Sequence, residues 1–203
     1  MKPAPSIGYF DLETQFLFSD IDSNWNEMTW TEKQSTRGRL TKQLKIAIAG
    51  LSMNNMNNED VVFFEEYEVD LLKSYLLSLD IVVGHNLIAF DYVVLRRYFS
   101  KDIIEKLKNK TIDTFQCIRE KTGDWTKLDD LGKMNLGLEK LEDSIEIPGL
   151  WRAGKHQRVK EHLERDILIV KKIYNLGKET GELKYIHKDY GKIIGEDVVH
   201  IDW

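Results

Sequence analysis

The apolar stretch at residues 7–13, Ile7-Gly8-Tyr9-Phe10-Asp11-Leu12-Glu13, carries two acids at its end. In a β-strand, successive side chains point to opposite faces, so Asp11 and Glu13 would continue the face that carries Ile7 and Tyr9. The pattern therefore predicts a row of apolar side chains that leads into a pair of carboxylates. The two acids can also lie in water beyond the strand end, and their spacing alone does not separate the two possibilities.

A second acid interrupts an apolar stripe of helical period near the C-terminus. The stripe consists of Val159, Leu163, Asp166, Val170 and Ile173. Because an unpaired carboxylate is costly to remove from water, Asp166 should be paired with a basic side chain, protonated or bound to a metal ion. His162 lies one helical turn earlier, within reach of whatever Asp166 binds, although an ordinary core or surface histidine could have the same spacing.

The fourth acid of interest, Asp91, follows the turn Gly84-His85-Asn86 and opens an apolar run of helical period. An aspartate in this position could act simply as a helix N-cap. The start of a helix beside a strand end is also where ligands bind in sheet-based folds, so the two roles are compatible.

Oxygen ligands dominate this set of candidate residues, since the chain has one cysteine, Cys117, and only five histidines. Such a set favours Mg²⁺ or Mn²⁺ over zinc. Two of these ions about 3.5–4 Å apart can activate a water and neutralise the leaving oxygen of a phosphodiester. We therefore expect phosphodiester hydrolysis.

The bulk composition predicts one soluble domain over residues 1–203. The chain is 42% hydrophobic, and no Gly/Ser-rich linker divides it. The single cysteine, the lack of a signal sequence and the lack of an apolar run of about 20 residues favour a cytoplasmic protein without a membrane partner. The net charge of −5 argues against general coating of polyanions, although residues 33–45 and 152–160 are locally basic.

The periodicities predict an α/β fold that begins with three antiparallel strands. The expected strands are residues 7–13, 45–51, 61–67, 81–83 and 112–115. The expected helices are residues 69–79, a run from Asp91, and residues 103–107, 115–121, 128–136 and 157–175, with Gly137 and Gly177 as helix stops. Residues 20–43 lack a clean period and predict a long loop with one helical turn, and residues 183–203 predict a small hairpin or meander.

Three short motifs resemble those of the DEDD 3′–5′ exonucleases of the ribonuclease H-like superfamily. They are Phe10-Asp11-Leu12-Glu13-Thr14, then Gly84-His85-Asn86 with Phe90-Asp91, and finally His162-x-x-x-Asp166. The resemblance covers about residues 6–176, and it is nearest to predicted prokaryotic exonucleases related to the proofreading domains of family B polymerases. The tail, residues 198–203, resembles those proteins too.

The resemblance implies a mixed sheet flanked by helices and the removal of nucleotides from single-stranded 3′ ends of DNA or RNA. It implies two Mg²⁺ or Mn²⁺ ions, with Asp11 shared by both, Glu13 and Asp166 on the first, and Asp91 on the second. It also implies that Thr14, His85 and Asn86 contact the substrate.

One position departs from the family pattern. The residue that orients the attacking water is usually a tyrosine four residues before the last aspartate or a histidine five residues before it, whereas His162 combines the histidine with the tyrosine spacing. One residue is about 100° around a helix, so His162 should lie where the tyrosine lies. An imidazole can accept a proton at neutral pH, so we expect His162 to serve the attacking water as a base, with activity falling at low pH.

Two other functions are compatible with the sequence. The protein could keep the fold as a binding module for nucleic acid or protein without cleaving, or it could be an endonuclease of the same superfamily. Trp25, Trp30 and the basic residues 33–45 could form a stacking wall for single strands, or they could pack as an ordinary loop. The choice between DNA and RNA, and a helicase or polymerase partner, stay open at this point.

Overall fold

Strand β1 (Ile7–Thr14) lies in the middle of a five-stranded sheet in the computed structural model of the chain, which describes residues 3–54, 60–139, 141–189 and 192–203. The other strands are β2 (Ile46–Met53), β3 (Val62–Glu65), β4 (Ile81–Gly84) and β5 (Thr111–Asp113). Their order is β3-β2-β1-β4-β5, with β1–β2 and β2–β3 antiparallel and β1–β4 and β4–β5 parallel. The predicted antiparallel start and the mixed sheet are confirmed.

Helices flank both faces of this sheet. In chain order they are α1 (Phe18–Ile21), α2 (Trp30–Thr41), α3 (Val69–Ser78), α4 (Asp91–Leu95), α5 (Lys101–Lys108), α6 (Thr114–Thr122), α7 (Leu128–Leu136), α8 (Ile147–Arg152) and α9 (His156–Thr180). The face of Ile7 and Tyr9 packs on α9 and α7, while the face of Phe10 and Leu12 packs on α3, α4 and α5. None of the helices in the described ranges is both long and apolar enough to cross a membrane.

Gly50 of β2 allows α9 to lie close to the sheet. It pairs with Asp11 across the antiparallel ladder. A Cβ atom at Gly50 would stand 2.6 Å from Cδ1 of Ile167 and 3.1 Å from Cγ of Leu163. A larger residue would therefore push α9, which carries Asp166, away from the acids of β1.

Residues 20–43 are largely helical, so the expectation of a long loop is wrong. A short 3-10 turn (Trp25–Glu27) precedes the twelve-residue helix α2. Thr29 and Glu32 form a capping box, in which the Glu32 carboxylate accepts from the Thr29 amide at 2.8 Å. The only buried residues of α2 are Leu40 and Thr41 at its end. The helix therefore shows no apolar stripe, and the periodicity that reveals other helices was missing.

The last helix is longer than the sequence predicts. Gly177 lies inside α9 and is not its stop, because the helix ends at Thr180 and is capped by Gly181, which has a φ of +72°. Gly177 serves close packing, since a Cβ there would lie 2.6 Å from Cζ2 of Trp203. Gly137, with a φ of +64°, does end α7 as predicted.

The tail folds as an antiparallel hairpin of β6 (Glu182–Asp189) and β7 (Lys192–His200). This confirms the hairpin alternative; residues 190–191 between the strands lie outside the described residues. Helix α8, which the sequence did not predict, precedes α9 and packs on it.

Candidate metal centre

The acids of β1 lie on the face of the sheet that α9 covers. Ile7 and Tyr9 belong to the same buried cluster as Leu163 and Val170 of α9. Glu13 follows them on that face, and its Oε1 lies 3.3 Å from Nε2 of His162 on α9. Along this face of β1, apolar side chains are therefore followed by the two carboxylates, as the sequence predicted.

Asp166 and His162 face these acids from α9. Asp166 is 2% exposed and His162 is fully buried, so the acid does occupy the middle of a buried stripe. Nε2 of His162 lies 3.6 Å from Oδ2 of Asp166. One potential ligand atom from each of Glu13, His162 and Asp166 lies within 4.8 Å of the others, a separation that a single metal ion can span.

Asp91 joins the group from the other side of β1. It is the first residue of α4, whose N-cap is Phe90, so the simple capping role is not what the structure shows. Instead, its Oδ1 accepts a hydrogen bond from the amide of Leu12 at 3.2 Å. Burial raises the pKa of Asp91 well above its ordinary value, and the charge of Asp11 raises it further, with smaller contributions from Asp113 and Glu13. Carboxylates that repel one another in this way are the groups that a bound cation would stabilise.

A cleft of about 870 Å³ opens onto these acids. Its lining includes all four predicted ligands and all three predicted substrate residues: Asp11, Glu13, Asp91, Asp166, Thr14, His85 and Asn86. The structure therefore brings together every site residue that the sequence singled out, with the buried His162 against Glu13 and Asp166.

Hydrogen bonds within the protein orient two of the predicted substrate residues, Thr14 and His85. The Thr14 hydroxyl donates to the carbonyl of Phe16 at 3.0 Å. The His85 ring lies between the Thr114 hydroxyl, 2.9 Å from Nδ1, and the Thr126 carbonyl, 3.0 Å from Nε2. This ring is therefore fixed at the wall of the cleft.

Asp113 is a functional candidate that sequence reasoning missed. Its buried carboxylate accepts from the amides of Asn86 at 2.8 Å and Ile88 at 2.9 Å, and it also caps α6. Asn86 has a φ of +67°, which a non-glycine residue keeps only when its surroundings hold it there. In the sequence, Asp113 could have been noticed as an acid at the end of β5, which pairs with β4. The strand expected at 112–115 extended past Asp113, so this residue was assigned to the interior of a strand and not to its end.

We expect Asp113→Ala to lower the free energy of unfolding by about 2–4 kcal/mol, because it removes a helix cap and leaves two further amides without their acceptor. Urea unfolding would measure this change. Asp102→Ala, at an exposed acid in the first turn of α5, is the matched control. A loss below about 1 kcal/mol would show that the turn does not depend on Asp113.

Aromatic side chains form one wall of the cleft. Phe115 and Trp125 line it, and their ring centroids are 5.5 Å apart. Trp30 of α2 contacts Trp125 edge-on at 6.4 Å, and the Arg119 guanidinium lies 4.7 Å from the Trp125 ring. We refer to Phe115 and Trp125, together with the Trp30 ring that packs behind them on Trp125, as the aromatic wall.

The wall differs in membership from the one that the sequence suggested. Trp25 packs on Phe18 at 4.7 Å instead of facing Trp30. Of the basic residues in 33–45, Arg37 lines the cleft. Arg152 of the second basic stretch binds Asp20 at 2.9 Å.

The carboxylates that line the cleft are suited to hard divalent cations. Carboxylate oxygens are the ligands that Mg²⁺ and Mn²⁺ prefer. All four acids lie in regular elements, namely β1, α4 and α9, so the sheet and its helices set their positions.

Comparisons with known proteins show the fold. No family model matches the chain, and no curated protein matches its sequence. Among solved structures, the chain is similar to the family B DNA polymerase from the hyperthermophilic archaeon Pyrobaculum calidifontis, with a TM-score of 0.55 and 11% identity. The match covers 87% of this chain and 24% of the polymerase chain. The chain thus has a ribonuclease H-like fold and spans about a quarter of the length of that polymerase.

Proposed function

We propose that the protein is a divalent-metal-dependent 3′–5′ exonuclease of the DEDD type, acting on single-stranded DNA or RNA. The observation that carries this proposal is the convergence of Asp11, Glu13, Asp91 and Asp166 on one cleft. The four residues come from three separate segments of the chain, in the order and on the elements that the resemblance requires. A structural neighbour that is a DNA polymerase supports a nucleic-acid substrate for this chain as well.

Asp11, Glu13, Asp91 and Asp166 would together hold the Mg²⁺ or Mn²⁺ ions that the resemblance implies. Ions at such a site supply the Lewis acidity that activates water and stabilises the leaving oxygen. The backbone of β1 positions Asp91 through the Leu12 amide. Asp113 fixes the turn that presents Asn86 to the cleft.

Positive side chains around the cleft would bind the phosphates of the strand. Arg37 and Lys127 line it together with the acids, as does Lys133, whose ammonium group also pairs with Asp129 at 3.1 Å. Because the net charge of the chain is −5, its general surface should not attract a polyanion, and phosphate binding would depend on these cations at the cleft. The substrate is therefore expected to be bound along the cleft, and not over the general surface.

The experiment is digestion of a 5′-labelled single-stranded oligonucleotide in Mg²⁺ or Mn²⁺. A ladder that shortens from the 3′ end, with a circular single strand left intact, is the expected result. Cleavage of the circle would assign the chain to the endonucleases. Binding without cleavage in either ion would assign it to the binding modules.

The aromatic wall favours unpaired bases, because each base that stacks on an aromatic ring contributes about 1–3 kcal/mol. We expect Trp125→Ala to weaken the binding of a single strand in EDTA by about 5- to 150-fold, measured by fluorescence anisotropy. Tyr67→Ala is the control, since Tyr67 is 80% exposed and does not line the described cleft. Equal affinities of both variants for the single strand would show that the aromatic wall does not contribute to substrate binding.

A further inference from the structure

His162 occupies an unusual position for a histidine that should face a water in the cleft. Its side chain is fully buried on α9. Within the described part of the chain, neither of its ring nitrogens makes a hydrogen bond. Nε2 instead points to two carboxylate oxygens, at 3.3 Å on Glu13 and 3.6 Å on Asp166.

We infer that Nε2 of His162 is itself a metal ligand, and that it completes a mixed nitrogen and oxygen site with Glu13 and Asp166 for a divalent transition ion such as Mn²⁺. The inference rests on the proposed function for the two carboxylates. It changes the role of His162 from a base to a ligand, and it gives the site a preference for Mn²⁺ over Mg²⁺.

The distances fit a shared ion. Ligand atoms bound at about 2.0–2.2 Å lie about 2.9–3.6 Å apart when they are neighbours in octahedral or tetrahedral geometry. The two separations from Nε2 match this spacing. Both are long for a hydrogen bond between a histidine and a carboxylate, for which about 2.7–2.9 Å is usual.

Burial supports the same role. A polar ring nitrogen without a hydrogen bond is costly in the interior, and a coordinate bond would satisfy Nε2. Helix spacing places His162 and Asp166 one turn apart, and the β1 ladder brings Glu13 to the same point. Two rigid elements therefore set the three donor atoms, as a preorganised site requires.

The donor set determines which ion binds best. Imidazole is a softer ligand than a carboxylate and suits transition ions, whereas Mg²⁺ prefers oxygen ligands and retains its waters. A mixed site should therefore discriminate in favour of Mn²⁺. A site of carboxylates alone would discriminate much less.

The experiment measures metal binding and does not depend on catalysis. Electron spin echo modulation of Mn²⁺ bound to the full chain reports directly whether a ¹⁴N nucleus is coordinated, and calorimetric titration gives the affinities for Mn²⁺ and Mg²⁺. The variants are His162→Ala and His162→Gln. His200→Ala is the matched control, because the His200 side chain is 84% exposed.

The expected result is a ¹⁴N signal in the wild type and in His200→Ala that is lost in both His162 variants. Mn²⁺ affinity should fall by about 10- to 100-fold in these variants, and Mg²⁺ affinity by much less. Mn²⁺ binding to the wild type without ¹⁴N coupling would overturn the inference while the carboxylate site stands. Binding of Mg²⁺ without binding of Mn²⁺ would overturn the inference alone, and binding of neither ion to the wild type would overturn the proposed function as well. If the variants fail to fold, the wild-type spectrum alone still decides.

Discussion

Asp166→Asn is expected to lower the rate of metal-dependent hydrolysis by at least about 100-fold. Substitution of a residue that only hydrogen-bonds to a metal ligand already lowers metal affinity or activity by about 10- to 100-fold, and loss of a ligand itself should cost more. Asparagine keeps the size of the side chain, so α9 should pack as before. It removes the negative charge that faces His162 and the acids of β1. Initial rates on the labelled oligonucleotide, measured over a range of Mn²⁺ concentrations, would give the loss.

The control for this variant lies on the same helix. Glu179→Gln makes the same chemical change at an exposed position near the end of α9. Its rate should match that of the wild type. Circular dichroism and the thermal midpoint should show both variants folded. Full activity of Asp166→Asn at low Mn²⁺ would contradict a role for this carboxylate in holding the ion.

The site residues could be predicted from the sequence where they lie on strands or helices with a clear hydrophobic period. Glu13 continues the alternation of β1, and Asp166 continues the spacing of α9, and each period fixes the face on which a side chain lies. The buried stripe of α9 and the row of Ile7 and Tyr9 then meet in one core cluster. Period and polarity predicted the face on which each acid lies, and the resemblance to the DEDD exonucleases implied that the two acids share a site.

Residues outside periodic elements were harder to predict. Trp125 lies between α6 and α7, and its pairing with Trp30 depends on how α2 packs against the rest of the fold. Asp113 acts through backbone amides of a turn that precedes it by more than twenty residues. Such contacts follow from tertiary packing, which no local pattern encodes.

The orientation of His162 shows the same limit at a finer scale. Helix spacing correctly placed it on the face of Asp166. It could not show that Nε2 points to Glu13, because that contact depends on how closely α9 approaches β1 and β2. Gly50 sets that approach, and its importance is visible only once Ile167 and Leu163 are seen against it.

Asp91→Asn should have opposite effects on stability and activity. Burial and the charge of Asp11 raise the pKa of Asp91, so the folded protein holds this proton more tightly than the unfolded chain does. In metal-free protein, the resulting stability is complete below the unfolded pKa of about 3.8 and is lost as the pH rises through the folded pKa. Asparagine carries no charge at any of these pH values. The variant should therefore gain stability relative to the wild type as the pH rises from 4 to 8.

Urea unfolding in EDTA at several pH values would measure this gain. Mn²⁺ should reverse the order, because a ligand stabilises the form that binds it, and the wild type would bind the ion more tightly. Hydrolysis by the variant should fall by at least about 100-fold. A variant less stable than the wild type in EDTA at pH 8 would mean that the Leu12 amide binds a charged carboxylate more strongly than an amide oxygen, by more than the repulsion among the acids costs. The main role of the Asp91 carboxylate would then be to stabilise the fold through the Leu12 amide, and metal binding would be a lesser role.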